Sequence, residues 1–195
     1  AAAARGVVAA AAHQITKSLL WVFGLLASES LSSTAQAFLP QSLQSGDLRT
    51  ASQTLRLLLK LGFFGSVATA GLLSLVAHQG GLRLFCEDPE VLAAVPLVSL
   101  SCCIMLTPFA FCMEGAHIAA QRQRWLSRRL SLLTSLVGLT FRFGLPPTAG
   151  LTQVWAVFAA YLFGRAIWYA WGLWGPNGVL SPKAAPVKAS QERRA

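Results

Sequence analysis

Glu29, Ser33, Gln36 and Pro40 are the residues whose types and spacing could do chemistry. At about 100° per helical residue, the other three fall within about 40° of Glu29, on one face. The residues just before them, 19–27, are apolar enough to enter a bilayer. A carboxylate with hydroxyl and amide neighbours is costly at membrane depth. Such groups face a water-filled cavity or another helix and carry an ion or solute pathway. The same pattern also fits a helix that leaves the membrane near Ser28 and is solvated beyond it. If Glu29 faces a low-dielectric cavity, it can hold a proton or cation in one state and release it in another. Ser33 and Gln36 could then contact solute or order water, or could serve as hydrogen-bonding glue between helices.

Two further charged residues lie in apolar stretches. Glu114 is near His117 and ahead of Arg122 and Arg124. It reads either as an interfacial ion pair or as a transport or gating group, and His117 reads as interfacial rather than catalytic. Arg165 sits inside FAAYLFGRAIWYAWG, with Glu29, Glu114, an acid elsewhere in the protein or an anionic solute as its candidate partners. A structural pair is the favoured reading. Lys17 is near the outer end of its stretch, where its long side chain can snorkel. No Ser-His-Asp or Cys-His set, glycine-rich phosphate loop or His/Cys metal cluster is present, so neither an enzyme nor a cofactor is expected. The four cysteines lack ligand spacing and read as small buried hydrophobes.

The elements that must position these residues follow from composition. The chain has 195 residues, of which 54% are hydrophobic and 12% charged. Its mean hydropathy is +0.55. Soluble domains average about a quarter charged residues. An all-α, polytopic membrane bundle in a lipid bilayer is therefore expected, against the alternative of a soluble all-α domain with several buried helices. Five spans of suitable length emerge, at about 8–38, 48–77, 89–118, 125–143 and 150–174. Asp88 and Pro89 are a good N-cap and first helical residue for the third, which carries Pro96 and Pro108 within it. Gly62, Ser66 and Ala70 give the second a small-residue edge for close helix contact. Trp155, Trp168, Trp171 and Trp174 flank the last span, where an aromatic belt accounts for the outer ones. Residues 181–195 read as a disordered basic tail.

The net charge of +9 is distributed by loop and does not read as a nucleic-acid footprint. Arg49, Arg56, Arg122, Arg124, Arg128, Arg129, Lys183, Lys188, Arg193 and Arg194 fall on one side of the five-span arrangement. Arg5, Arg83 and Arg142 fall on the other, with Lys17, Lys60 and Arg165 set aside as intramembrane or borderline. The richer side is the cytoplasm-like one. The chain is thus expected to begin outside and end inside. Because AAAARGVVAAAAHQ has no signal-peptide pattern, preceding spans are also expected.

AAAAHQI, SESLSSTAQAFLP, LFCEDPEV and TPFAFCMEGAHIAA occur in that order. Together they resemble the C-terminal half of multidrug and toxic compound extrusion (MATE) transporters. Within that family they resemble the DinF-like plastid group, which includes a chloroplast salicylate exporter. Glu29, Leu31, Ser32, Thr34, Ala35, Gln36, Phe38 and Pro40 match a Glu-Pro-Leu-Ser-x-Thr-Ala-Gln-x-Phe-Met-Pro run, whereas Ser30 and Leu39 depart from it. Met113-Glu114-Gly115 stands for a Leu-Glu-Gly motif, and RFGLPP and GPNGVL also resemble the group. The resemblance implies that residues 1–180 are a C-terminal lobe fragment, with a matching N-terminal lobe as partner. It implies secondary efflux of a small organic solute, an anionic one among the candidates, coupled to a proton or sodium ion, in a chloroplast membrane. Glu29, Ser33, Gln36, Glu114 and Arg165 are the transport or ion-coupling candidates. A non-transporting membrane scaffold or truncated paralogue is the alternative.

Overall fold

A computed structural model describes residues 6–146 and 148–181. Among these residues the secondary structure is helical, with no strands. Helix α1 (Val7–Leu19) runs through a π-helical segment (Leu20–Leu25) into α2 (Leu26–Gln44). Next come α3 (Leu48–His78), α4 (Pro89–Ala93) and α5 (Leu97–Ala119). Helix α6 (Gln123–Leu139) continues into a second π segment (Thr140–Gly144), and α7 (Leu151–Trp174) follows. The basic tail lies outside the described residues beyond Ser181.

Local chemistry explains the ends. Gly46 takes φ 78°, which a side chain would resist, and turns the chain between α2 and α3. The Asp47 carboxylate then accepts the Thr50 amide at 3.0 Å and caps α3. Asp88 caps α4 in the same way, accepting the Glu90 amide at 2.9 Å with Pro89 at the first helical position. Within the expected span 89–118 the helix is interrupted. The helix stops after Ala93 and restarts at Leu97, with Pro96 as the N-cap of α5. Pro96 has no amide hydrogen to continue the ladder, and its ring crowds the preceding turn. Pro108, by contrast, stays inside α5.

Neither π segment was expected. In the first, the Leu26 amide reaches the Trp21 carbonyl, five residues back. In the second, the Leu145 amide reaches the Thr140 carbonyl across the same interval. The first inserts an extra residue between α1 and α2 without breaking the helix, whereas the second closes α6, since Leu145 is extended.

Helix α5 is central, with α2, α3 and α7 packed around it and α6 against α7. Small residues set the close approaches. A Cβ at Gly62 of α3 would lie 3.0 Å from both Leu31 and Pro108. A Cβ at Gly115 of α5 would lie 2.9 Å from the Ser32 Cα of α2, so α2 and α5 meet almost backbone to backbone. Two apolar clusters fill the bundle. One gathers Leu19, Leu73, Leu100, Ile104 and Leu162, and the other Leu39, Leu55, Cys112, Tyr169 and Leu173.

The outside is apolar too. Leu57, Leu61, Phe64, Leu72 and Leu75 of α3 are each more than half exposed, as are Leu132, Leu136 and Leu139 of α6. Apolar surface this continuous marks contact with lipid or protein. Helices α3 and α5 are long and apolar enough to cross a membrane. Two smaller expectations are corrected. Cys102 is exposed while Cys103 is buried, because adjacent helical positions point about 100° apart. Trp155 does not belong to an outer belt; it is 5% exposed and packs on His13.

Candidate functional site

Ser28, Ser32, Ala35 and Leu39 form the buried stripe of α2. Glu29, Ser33, Gln36 and Pro40 each follow one of these by a single residue, so their face is turned about 100° from the packed one. Glu29 and Ser33 are accordingly exposed, and Gln36 and Pro40 half-buried. The Gln36 amide donates to the Ser32 hydroxyl at 3.3 Å. Among the described residues, no ion pair or side-chain hydrogen bond reaches Glu29 or Ser33. The helix therefore presents a carboxylate and a hydroxyl outward from the bundle, with their hydrogen-bonding capacity unspent.

A cleft of about 310 Å³ lies between α2, α3 and α5, lined on α2 by Ala27, Ser30, Leu31 and Thr34, on the far side of that helix from Glu29. Its hydroxyls are already satisfied by their own helices. Thr34 donates to the Ser30 carbonyl at 2.7 Å, Ser66 to Phe63 at 3.0 Å and Thr69 to Gly65 at 2.8 Å. The cleft thus behaves as an apolar slot, and Glu29 does not line it.

Glu114 and Arg165 meet as an ion pair that ties α5 to α7. Their side chains are 21% and 9% exposed. The guanidinium is held on several sides. Its Nε donates to the Tyr169 hydroxyl at 3.2 Å, and its carbon lies 5.0 Å from the Phe111 ring centre and 5.4 Å from that of Tyr169. Of the partners considered for Arg165, Glu114 is the one in contact. No bond joins either residue to Glu29, so the five candidates fall into two separate groups.

His117 is corrected from interfacial to fully buried, at 0% exposure. Trp125 of α6 stacks on it with ring centres 4.6 Å apart, and its Nε2 donates to the Tyr169 carbonyl at 3.1 Å. The start of α6 folds back over the end of α5 and removes this site from the surface. Phe111, Trp125 and Tyr169 are the site residues that sequence reasoning passed over. Tyr169 carried one usable signal, because it lies four residues after Arg165 and shares its helix face. Among the described residues, no group of three or more His, Cys, Asp or Glu is placed to hold a metal ion.

No family model matches the chain, and no solved structure matches it. The chain is similar to Protein DETOXIFICATION 45, chloroplastic, of Arabidopsis thaliana, with 26% identity over 176 residues. The match covers 86% of this chain and 31% of that protein, so the chain spans about a third of its relative's length.

Proposed function

We propose that this chain is the C-terminal lobe, residues 1–180, of a multi-pass secondary efflux transporter of the DinF-like MATE group. The observation that carries the reading is the similarity to a chloroplastic detoxification protein along 86% of the chain. The apolar outer surfaces of α3 and α6 support a bilayer around it, with α1–α2, α3, α4–α5, α6 and α7 as five crossings. The transported species is a small organic solute, driven by a proton or sodium gradient, and the membrane is a plastid one.

Glu29 is the coupling group in this reading. Its face is turned from the lobe's own core, where a second lobe and the solute path between lobes would meet it. Ser33 and Gln36 line the same path. Arg165 already has Glu114 as its counter-charge, so this pair holds α5 and α7 as one moving body and does not take up an anionic solute. The test is efflux by the full-length protein in proteoliposomes, across imposed pH and sodium gradients. Glu29→Gln keeps shape and hydrogen-bonding capacity but cannot change charge. Gradient-driven efflux should fall sharply while solute binding survives and loses its pH or cation dependence. Wild-type rates with wild-type gradient dependence would remove Glu29 from the coupling role. Wild-type protein that inserts but moves nothing under either gradient favours the scaffold alternative.

A further inference from the structure

A polar pocket of about 240 Å³ lies at the junction of α6 and α7, lined by Arg122, Trp125, Arg129, Trp171, Pro176 and Asn177 among others. Its two guanidiniums are held in place with most of their donors unspent. Arg122 donates through Nη1 to the Gly172 carbonyl at 3.0 Å and lies 5.5 Å from the Trp125 ring centre. The Arg129 guanidinium lies 4.7 Å from the Trp168 ring centre and 5.6 Å from that of Trp125. Among the described residues, Arg129 makes no hydrogen bond or ion pair. No carboxylate lines the pocket, and the described pair of acid and base, Glu114 with Arg165, is spent elsewhere. Trp171 is 63% exposed at the pocket's edge. A large indole exposed beside an apolar helix end marks headgroup depth in a bilayer.

We propose that this pocket binds the phosphate of an anionic lipid headgroup at the membrane surface. A guanidinium matches phosphate oxygens in geometry as well as charge, and here two of them lie against one indole, 5.5 and 5.6 Å from the Trp125 ring centre. Indole faces on the same wall suit the glycerol and upper acyl chain. Basic pockets between helix ends on the cytoplasm-like side are where such headgroups lodge. The assignment rests on the membrane reading above, because it requires this end of α6 and α7 to lie at a bilayer surface.

The experiment reconstitutes the full-length protein into nanodiscs. Brominated phosphatidylglycerol or brominated phosphatidylcholine is titrated into them, and tryptophan quenching reads the relative affinity. Wild type should prefer the anionic lipid saturably. Arg122→Gln with Arg129→Gln should cut that preference about tenfold or more, at the usual worth of a basic side chain near a charged surface. Arg124 and Arg128 are exposed and do not line the pocket, so Arg124→Gln with Arg128→Gln removes equal charge and should leave most of the preference intact. Arg122 also braces α7, so Arg129→Gln alone, with helicity checked by circular dichroism, separates lost binding from lost packing. An equal fall in both double variants, or no preference in wild type that has inserted, overturns the site and leaves the membrane reading standing. Failure to insert overturns both. Millimolar inorganic phosphate that displaces the lipid completely assigns the pocket to a free anion and overturns the lipid headgroup.

Discussion

Arg165→Leu should destabilise the protein by about 3–4 kcal/mol. Removing one partner of a buried ion pair costs roughly 3–5 kcal/mol, because the other charge stays behind. Glu114 is 21% exposed, so some solvation reaches the orphaned carboxylate and places this term near the low end. The substitution also removes the donation to the Tyr169 hydroxyl, worth about 1 kcal/mol, and the contacts of the guanidinium with Phe111 and Tyr169. Leucine packs well in an apolar helix, which offsets part of the loss. The assay is unfolding of the full-length protein in mixed micelles of increasing SDS fraction, followed by tryptophan fluorescence. The decisive quantity is the double-mutant coupling between Arg165→Leu and Glu114→Leu. An ion pair should give about 2 kcal/mol or more, with the double variant recovering much of the single loss. Interhelical hydrogen bonds alone average only about 0.6 kcal/mol in membrane proteins. Additivity within about 0.5 kcal/mol, or an Arg165→Leu protein as stable as wild type, refutes the reasoning.

Gly115→Ala should cost about 1–3 kcal/mol in the same assay, because its Cβ would press on the Ser32 backbone, which has no flexible end to yield. Gly71→Ala should instead be neutral or stabilising by up to about 1 kcal/mol, since nothing lies within 4 Å of the new methyl. Cysteines introduced beside Arg124 and in the C-terminal tail at Ser190 should label from one side of the membrane, and one beside Arg83 from the other; labelling of all three from one side sinks the five-span topology. The Thr50 amide, and then its hydroxyl, holds the Asp47 carboxyl below its ordinary 3.8. The cap should therefore be intact above about pH 3.8 and lost as pH falls through the lowered value. Hydrogen exchange at Thr50 reads this directly, and Asp47→Ala should accelerate it already at neutral pH.

The Asp88 cap was the most legible feature of the sequence, because an aspartate before proline places a carboxylate where free amides begin, and that signal is local. Asp47 caps α3 in the same way but was not read as a cap. Pro96 was visible but placed within the third span, because the first turns of α4 were read together with the long apolar run beyond them. The π segments left no signature, since their change is in hydrogen-bond register and leaves composition untouched. The Glu29 face was legible as an angle on a wheel, and the buried serine stripe of α2 runs beside it as that angle requires. What covers either face depends on neighbouring helices, which a single wheel does not contain. The same reason kept Glu114 as one of several partners for Arg165, and hid the burial of His117 beneath a tryptophan from the next helix.

The π segment between α1 and α2 makes the orientation of Glu29 a matter of counting. Loss of a single codon within residues 20–25 would let the ladder close as an ordinary α-helix and leave α2 facing as it does now, because the bulge already absorbs the extra residue. Closing the ladder with all of residues 20–25 retained would instead turn α2 by about 100° against α1 and bring Ala27, Leu31, Thr34 and Phe38 into the places now held by Ser28, Ser32, Ala35 and Leu39. No contact residue need change for that outcome. Relatives whose helix is regular here should therefore align with one residue fewer between Leu20 and Leu25, and an alignment drawn without that gap would assign the carboxylate to the wrong face.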